Sequence, residues 1–408
     1  MFASCEERPD WLHKLHIEVI DPAVAPTCNE PGLTEGKHCS VCNEVLVAQI
    51  VVDALGHNFV GNTCTACDEK TESSGLSYTL SSDKTCYSVT GIGTCIDRDV
   101  IIPDTYKGLL VTTIGDYAFR WCSRLTSVTI SDGVTTIGDY AFEDCDNLTS
   151  VTIPGSVTTI GDGVFYCCYS LTSVTIPDSV TTIGDCAFYS CDSLTSITVD
   201  KNNAYYKDID GNLYSKDGTV LIQYAIGKSD SSFTIPSGVT TIGDYAFSDC
   251  DSLTNVTIPD SVTTIGDWTF YRCFSLTSVT IPDSVTSIGN HAFYGCESLT
   301  SVTIPDSVTT IGKDAFTGCY SLTSVTIPDS VTTIGYWAFF LCDSLTSVTI
   351  PDSVTTICDG AFSMCYSLTS ITFEGTVAQW NNVSLGSSWN YKVPATEVVC
   401  SDGTVELE

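Results

Sequence analysis

The stretch LTSVTIPDSVTTIGKDAFTGCYS, residues 299–321, is one period of a pattern that returns every 23 residues and decides the fold. Within it Leu299, Val302 and Ile304 stand at L-x-x-V-x-I spacing, which turns three apolar side chains inward along a short strand while Ser301 and Thr303 point out. Pro305 and Asp306 then make a turn, because proline presets φ and cannot continue a ladder at a central strand position. Val308 and Ile311 return inward, and Gly312 lets the chain bend. The following D-A-F-x-x-C segment is expected to form a helical or 3-10 turn that drops Phe316 and Cys319 into the core. A single unit leaves its apolar side bare, so only stacking of neighbours buries it.

Phenylalanine marks the register at Phe119, Phe142, Phe165 and Phe188, and again at Phe247, Phe270, Phe293, Phe316, Phe339 and Phe362. The gap from Phe188 to Phe247 is 59 residues, one period plus 36, so an insertion interrupts the array. A fixed period of this size around an L-x-x-V-x-I core calls for a leucine-rich repeat solenoid. The expected fold class is a right-handed arc of 23-residue units with short parallel strands and short helical or 3-10 turns. At roughly 4.8 Å per coil, ten units would make an arc about 50 Å long.

The expected organisation is a tail at 1–27, a Cys-rich module at 28–70, an N-terminal cap at 76–110, repeats at 111–373 with an insertion at 200–232, and a C-terminal cap at 374–408. Tyr78, Tyr87, Val89, Ile92, Ile101 and Ile102 alternate in the first cap, and Trp380, Trp389, Val398 and Val399 supply the second. Ile197 and Phe233 occupy equivalent strand positions around the insertion. Asp210-Gly211 and Asp217-Gly218 are hairpin signals inside it, and Tyr205, Tyr206, Tyr214 and Tyr224 make it aromatic. Two readings stay open: an irregular coil that continues the stack, or a projecting hairpin that adds to a binding surface.

Runs such as VTIPDSVTTIGDWTF at 256–270, followed by C-x-S-L at 273–276, closely resemble the BspA-like leucine-rich repeat family of bacterial and some protozoan surface proteins. The resemblance covers about residues 96–373. It implies an extracellular or cell-surface protein whose role is adhesion to host matrix proteins or to other cells. It does not imply a particular ligand, because function lives on the decorated faces of a fold.

Sixteen Lys and Arg against 49 Asp and Glu give a formal charge of −33, which repels nucleic-acid phosphates and anionic headgroups. No nucleic-acid partner is expected. No apolar run approaches 18 residues, so no direct membrane insertion is expected either. The opening MFASCEERPDWLHKLHIEV has neither a basic n-region nor an apolar h-region, and no secretory signal peptide is read there.

The 22 cysteines form two populations. One recurs three residues after each Phe, from Cys122 and Cys145 to Cys365. Stacked in parallel these thiols have poor disulfide geometry, and they are expected to act as small buried hydrophobes. The other, C28-x10-C39-x2-C42-x14-H57-x6-C64-x2-C67, approximates a zinc ribbon, since thiolates and imidazole suit tetrahedral zinc. It also resembles the small Cys/Gly-His modules attached to gut-bacterial surface proteins. Two ligand sets are open: Cys39, Cys42, Cys64 and Cys67, or Cys28, Cys39, Cys42 and His57. A structural Zn is the expected cofactor, with disulfide pairing as the alternative.

The columns that vary between copies flank Phe and Cys and are rich in aromatics. Trp268, Tyr271, Phe274, Tyr294, Tyr320, Trp337, Phe340 and Tyr366 are the candidate partner-binding residues, joined by Trp121, Tyr166 and Tyr169. The core columns being already filled, these rings should be partly exposed, where they serve as recognition anchors. A threonine column running from Thr129 to Thr372 reads as plain β-propensity, and the aspartates after proline, such as Asp306, read as solvated turn residues. Only five histidines exist, none with a recognisable nucleophile or metal-protease partner, so no enzyme is expected. The function expected is a monomeric, non-enzymatic adhesin that binds a protein or glycan on host or neighbouring cells. The alternative is a structural spacer or surface-layer element, which has no use for aromatic columns.

Overall fold

The structure is a computed structural model that describes residues 17–41, 43–57, 59–60, 63–64, 66–67 and 71–407. It divides into two compact units, Met1–Ser74 and Gly75–Glu408.

In the second unit every period contributes two short strands, and each strand lies parallel to its copy one period away. Ser301–Thr303 pairs with Ser278–Thr280 on one side and Ser324–Thr326 on the other, Ser on Ser, Val on Val and Thr on Thr. Thr310–Ile311 pairs likewise with Thr333–Ile334. Because identical residues face each other, every sequence column becomes a spatial column, and a slip of one residue would turn all apolar side chains out at once. One sheet runs unbroken through nine strands from Ser232–Thr234 to Gly403–Glu406, and the other through ten from Tyr206–Ile209 to Ser384–Leu385. The solenoid and its 23-residue spacing are as the periodicity predicts.

The phenylalanines stack inside it with ring centroids 5.0–5.7 Å apart and planes within 1–18°. All are buried. In eight of the ten ladder positions the cysteine thiol donates to the carbonyl of the previous coil's phenylalanine, for example Cys145 to Phe119 at 3.1 Å, Cys273 to Phe247 at 3.0 Å and Cys365 to Phe339 at 3.0 Å. The thiol thereby adds a second donor to a carbonyl that already accepts a backbone N–H from its own coil, as Phe119 does from Cys122. The polar consensus is explained in the same way. Thr158 Oγ1 donates to the Thr135 carbonyl, Ser261 Oγ to the Val239 carbonyl, and Asp139 Oδ1 accepts from the Asp162 N–H.

The outer D-A-F-x-x-C segments differ from the expected helical or 3-10 turns. They are successive tight turns in which alternate residues serve different ladders. The N–H groups of Tyr117, Phe119 and Trp121 donate to the next coil at Asp139, Ala141 and Glu143, while those of Ala118, Arg120 and Cys122 close turns onto residues three back. A helix would keep all six bonds within one coil. The alternation needs left-handed backbone, seen at Tyr117 (φ 57°), Trp268 (φ 57°) and Trp337 (φ 51°) in one column and at Trp121, Asp249 and Leu341 in another. A non-glycine residue there costs about 1 kcal/mol or more.

The insertion is built into the stack. Tyr206–Ile209 and Asn212–Ser215 form a hairpin turned by Asp210 and Gly211, and Val220–Gln223 adds a third antiparallel strand. The hairpin does not project its rings, however: Tyr214 and Tyr224 are fully buried, and of its tyrosines Tyr205 alone is open to solvent. Tyr224 takes the place of a ladder phenylalanine, donating its N–H to the Ala246 carbonyl and stacking on Phe247 at 5.3 Å. Between Val220–Gln223 and Ser232–Thr234 this coil carries eight residues, 224–231, against the twelve, 243–254, that join Thr241–Ile242 to Asn255–Thr257 in the next, so its outer segment is shortened.

At the C-terminal end Trp389 covers the last ring, Phe362, edge-on at 6.3 Å, and Trp380 packs between Trp389 and Phe373. Glu397–Cys400 and Gly403–Glu406 close the sheet as an antiparallel pair. At the N-terminal end Ser77–Leu80 lies antiparallel to Cys86–Gly91, which joins Leu109–Ile114.

In the first unit Glu18–Asp21, inside the expected tail, is a strand antiparallel to Gly36–Cys39, which also pairs with Val45–Val47. Among its described residues the buried apolar side chains are those of Cys28, Cys39 and Cys64, while Ile20, Val45, Val51 and Leu55 are exposed.

Candidate functional site

Two constellations stand out from the scaffold, one on the solenoid's outer face and one in the Cys-rich unit.

On the outer face the shortened segment of the Tyr224 coil lets its neighbours meet directly. Tyr189 packs edge-on against Tyr245 at 5.6 Å, and Ser190 Oγ donates to Asp249 Oδ2 at 2.7 Å, although 59 residues separate the latter pair. The outer rows converge here, and a cleft of about 590 Å³ opens along them. Tyr117, Tyr140, Tyr245 and Trp268 line it from the left-handed column. Tyr166, Tyr189 and Tyr271 line it from the column after Phe. Gly163 and Cys186 stand where the left-handed column would otherwise carry rings, and they leave the middle hollow. The Tyr140 ring lies over Gly163 so closely that a Cβ there would fall 2.4 Å from it.

One end of the cleft is held by Arg120 and Glu143, an ion pair with Nε and Oε2 2.6 Å apart in which Nη2 donates to Oε1 at 2.9 Å. The guanidinium lies over Trp121 at 4.1 Å and Tyr117 at 5.3 Å, so the arginine is clamped between rings and a carboxylate. Burial, followed by the nearby thiols of Cys167 and Cys186, pushes the Tyr166 hydroxyl up to about 12. Burial, and then Asp185, does the same to the Cys186 thiol. Tyr140 and Tyr245 are likewise raised, chiefly by burial. These groups keep their protons at neutral pH and can donate hydrogen bonds. The cleft thus offers ring edges, hydroxyl donors and a fixed ion pair, which is the equipment of recognition and contains no activated nucleophile.

Of the residues singled out from sequence, Tyr166, Trp268 and Tyr271 line the cleft. Tyr294 stacks on Tyr271 at 5.2 Å just beyond it. Phe274 is half-buried beneath the Arg272 guanidinium, and Phe340 is half-buried. Tyr320, Trp337 and Tyr366 are 40%, 41% and 50% exposed along the same face, and Trp337 covers Gly360. Sequence reasoning passed over Arg120, Glu143, Tyr117, Tyr140, Tyr189 and Tyr245. Their signal is the pair of small residues, Gly163 and Cys186, in a column otherwise large on both sides, immediately before the insertion.

In the Cys-rich unit the backbone N–H groups of Leu55 and Gly56 donate to the carbonyls of Thr27 and Cys28, which lays the His57 segment beside Cys28. Phe59–Val60 and Thr63–Cys64 form a short hairpin that returns Cys64 and then Cys67 to the same place. Cys28, His57, Cys64 and Cys67 consequently present ligand atoms all within 4.8 Å of one another, a group that can hold a metal ion. Cys28 Sγ and Cys64 Sγ are 3.7 Å apart, and Cys67 Sγ is 3.4 Å from His57 Nδ1. Ligands about 2.0–2.3 Å from one tetrahedral zinc stand roughly 3.3–3.8 Å from each other, whereas a disulfide needs about 2.05 Å. His57 Nε2 lies 2.7 Å from Asn29 Oδ1, which fixes the tautomer that leaves Nδ1 facing the thiols. The Ala66 N–H points at Cys64 Sγ from 3.5 Å.

This grouping takes members from both sequence-derived sets and coincides with neither. Cys39 is buried at the end of strand Gly36–Cys39 and is not in the group; Cys42 lies outside the described residues.

The BspA type Leucine rich repeat region family matches in six copies, over residues 109–216, 226–339 and 286–392. A leucine-rich repeat protein of Eubacterium ventriosum, solved as a crystal structure, is 29% identical with a TM-score of 0.61, over 80% of this chain and 91% of that one. The pneumococcal vaccine antigen PcpA is 20% identical with a TM-score of 0.62, over 93% of this chain and 98% of that one, and so shares the fold. No curated protein matches the chain. Among the described residues no helix is long and apolar enough to cross a membrane. By the extent of its repeats this chain belongs to the BspA-type leucine-rich repeat family.

Proposed function

We propose that the protein is a non-enzymatic, surface-displayed or secreted adhesin whose solenoid carries a partner-binding face on its outer turns, with a protein or glycan of host or neighbouring cells as partner. The carrying observation is the aromatic cleft with its flanking exposed rings. Every inner column is accounted for by packing or a backbone hydrogen bond, whereas the outer columns vary from coil to coil and present Tyr and Trp to solvent. Membership in the BspA-type family supports surface display. The rigid ladder supports multivalent contact, since it fixes the spacing of every ring.

The Cys-rich unit holds one structural zinc through Cys28, His57, Cys64 and Cys67. All four positions are filled by protein ligands, which suits a structural site and leaves no open position for catalysis.

The test is solid-phase binding of the purified chain to fibronectin, fibrinogen, mucin and epithelial cells, beside a variant in which Trp268, Tyr271, Phe274, Trp337 and Phe340 are replaced by Ser and which is shown to fold. Saturable binding lost in the variant is the expected result. Binding unchanged by the five substitutions would move the function off this face and favour a spacer.

A further inference from the structure

The hairpin inside the insertion repeats, bond for bond, the turn that starts the solenoid. Residues 81–93 and 215–227 share the spacing S-x-D-x-T-x6-I-G. At the N-terminal end Ser81 Oγ donates to Asp83 Oδ1 at 2.6 Å, and the N–H and hydroxyl of Thr85 donate to the same oxygen at 3.1 and 2.8 Å. The Cys86 N–H then donates to Ser81 Oγ at 3.1 Å. In the insertion Ser215, Asp217, Thr219 and Val220 make the same four bonds at 2.7, 3.0, 2.8 and 2.9 Å. Lys84 and Gly218 both take the left-handed conformation just before the threonine, at φ 62° and 82°. Each turn joins an antiparallel strand to one that runs parallel into the first full coil, with Val89 opposite Ile114 and Leu221 opposite Ile242. A solenoid ends in this way, because the turned-back strand occupies the edge where a further coil would pair.

We infer that the insertion is a second N-terminal cap, and that Gly75–Glu408 folds as two cooperative solenoids in series with a joint between them. Three further features fall at the same place. Among the described residues, no strand from Ser77–Leu80 to Ser196–Val199 pairs with a strand from Tyr206–Ile209 onward. The halves are tied instead by single main-chain bonds, from the Ile197 N–H to the Gly211 carbonyl and from the Gly227 N–H to the Leu194 carbonyl, and by side chains such as Ser190 on Asp249. An ordinary coil is held to the next by two strand ladders and by outer-turn bonds such as those of His291, Phe293 and Gly295 to Lys313, Ala315 and Thr317. The buried apolar side chains likewise form two clusters, one from Leu76 to Leu213 and one from Tyr214 to Cys400, so adjacent residues of one hairpin strand close the first core and open the second. A cavity of about 260 Å³ lies between them, walled by Ile183, Ala187 and Phe188 on one side and by Val220, Ile222 and Gln223 on the other. In a repeat array stability is the sum of coil terms and neighbour interfaces, so a weak interface is where the array divides. The aromatic cleft lies across this joint, since Tyr166 and Tyr189 belong to one half and Tyr245 and Trp268 to the other, and whatever occupies it grips both. The division itself does not depend on what the cleft binds.

The experiment is hydrogen exchange of the full chain, read by mass spectrometry in strands matched for distance. Ser173–Ile176 and Ser324–Thr326 each stand three coils from Asn255–Thr257, the strand of the Phe247 coil, in opposite directions along the stack. Phe247→Ala removes a fully buried ring and is expected to speed exchange in Ser324–Thr326 by about a hundredfold or more, while Ser173–Ile176 stays within about twofold of the parent. Phe165→Ala should do the reverse. Phe247→Leu, a smaller cut, should give about a tenfold effect with the same one-sidedness, and it keeps the test readable if the alanine variant does not fold. Asp217→Ala, which removes the acceptor of three bonds in the second cap, should also loosen Ser324–Thr326 about tenfold and spare Ser173–Ile176. Equal acceleration on both sides of the joint would make the stack one cooperative unit, and acceleration confined to the strands touching Phe247 would make it a row of independent coils; either result overturns the inference. Loosening of Ser173–Ile176 by Asp217→Ala as large as that of Ser324–Thr326 would overturn the cap.

Discussion

Removing the proposed zinc should separate the two units energetically. The described part of Met1–Ser74 buries the side chains of three cysteines and no aliphatic residue, and exposes Ile20, Val45, Val51 and Leu55. Burying one apolar side chain contributes about 1.5–3 kcal/mol, so its cores can supply only a few kcal/mol. Ordering the backbone costs about 1–2 kcal/mol per residue, far more than that over this segment. A structural zinc contributes about 10–16 kcal/mol near neutral pH, which is the right size to make the difference. The expected result of dialysis against a strong chelator is therefore loss of fold in the first unit and none in the second. Hydrogen exchange should show the amides of Glu18–Asp21 and Gly36–Cys39 becoming unprotected while those of Ser301–Thr303 keep their protection. Elemental analysis should find about one zinc per chain before treatment and near none in Cys64→Ser. A metal-free chain that keeps protection in Gly36–Cys39 would refute the reasoning, and a Cys39→Ser variant that loses as much zinc as Cys64→Ser would refute the ligand set.

Phe316, buried between Phe293 and Phe339 at 5.2 and 5.3 Å, should cost about 3–5 kcal/mol on replacement by Ala in urea unfolding. Gly318 has φ +72° with nothing nearer than 3.7 Å to an added Cβ, so Gly318→Ala should cost about 1 kcal/mol from backbone strain alone. Gly360→Ala adds a contact of 2.3 Å with the Trp337 ring and should cost about 1–3 kcal/mol more; equal losses would show that the ring does not rest on Gly360. His291 stacks on Trp268 at 3.8 Å, and burial holds its pKa below the usual value against the opposing pull of Asp314 and Asp267, with Lys313 lowering it further. Its neutral form is thus favoured by folding, so stability should be full above about pH 6.5 and decline as the pH falls through the histidine range, a step that His291→Phe should remove.

The solenoid was legible because each inner column repeats one residue type, and Phe, Cys and the V-T-I strand fix the period without ambiguity. The cleft was not, for a reason visible at the insertion. Thirty-six residues added to the sequence shorten the chain on the outer face, since the coil of Tyr224 carries only eight residues, 224–231, between its inner strands where the next coil has twelve. Sequence counts what is gained and cannot show which segment is shortened. The left-handed columns were hidden too, because the outer turns alternate bonds within and between coils, and an A-F-x-x-C spacing equally suits a helical turn. In the Cys-rich unit C-x-x-C spacing favours two knuckles, and it is the long-range pairing of Thr27 and Cys28 with Leu55 and Gly56 that regroups the thiols.

The residue-on-residue register has a consequence for how such a chain can change length. Every coil bonds to the next through its own equivalent atoms, so the loss or duplication of one whole 23-residue unit between Phe293 and Phe362 rejoins the same columns with no mismatched seam. Recombination between near-identical repeats would then shorten or lengthen the molecule in single coils, moving the flanking rings Tyr320, Trp337 and Tyr366 relative to the cleft while leaving the cleft itself intact. The fold behaves as a ruler that can be recut at its own graduations, its reach set by the number of coils and not by any one of them.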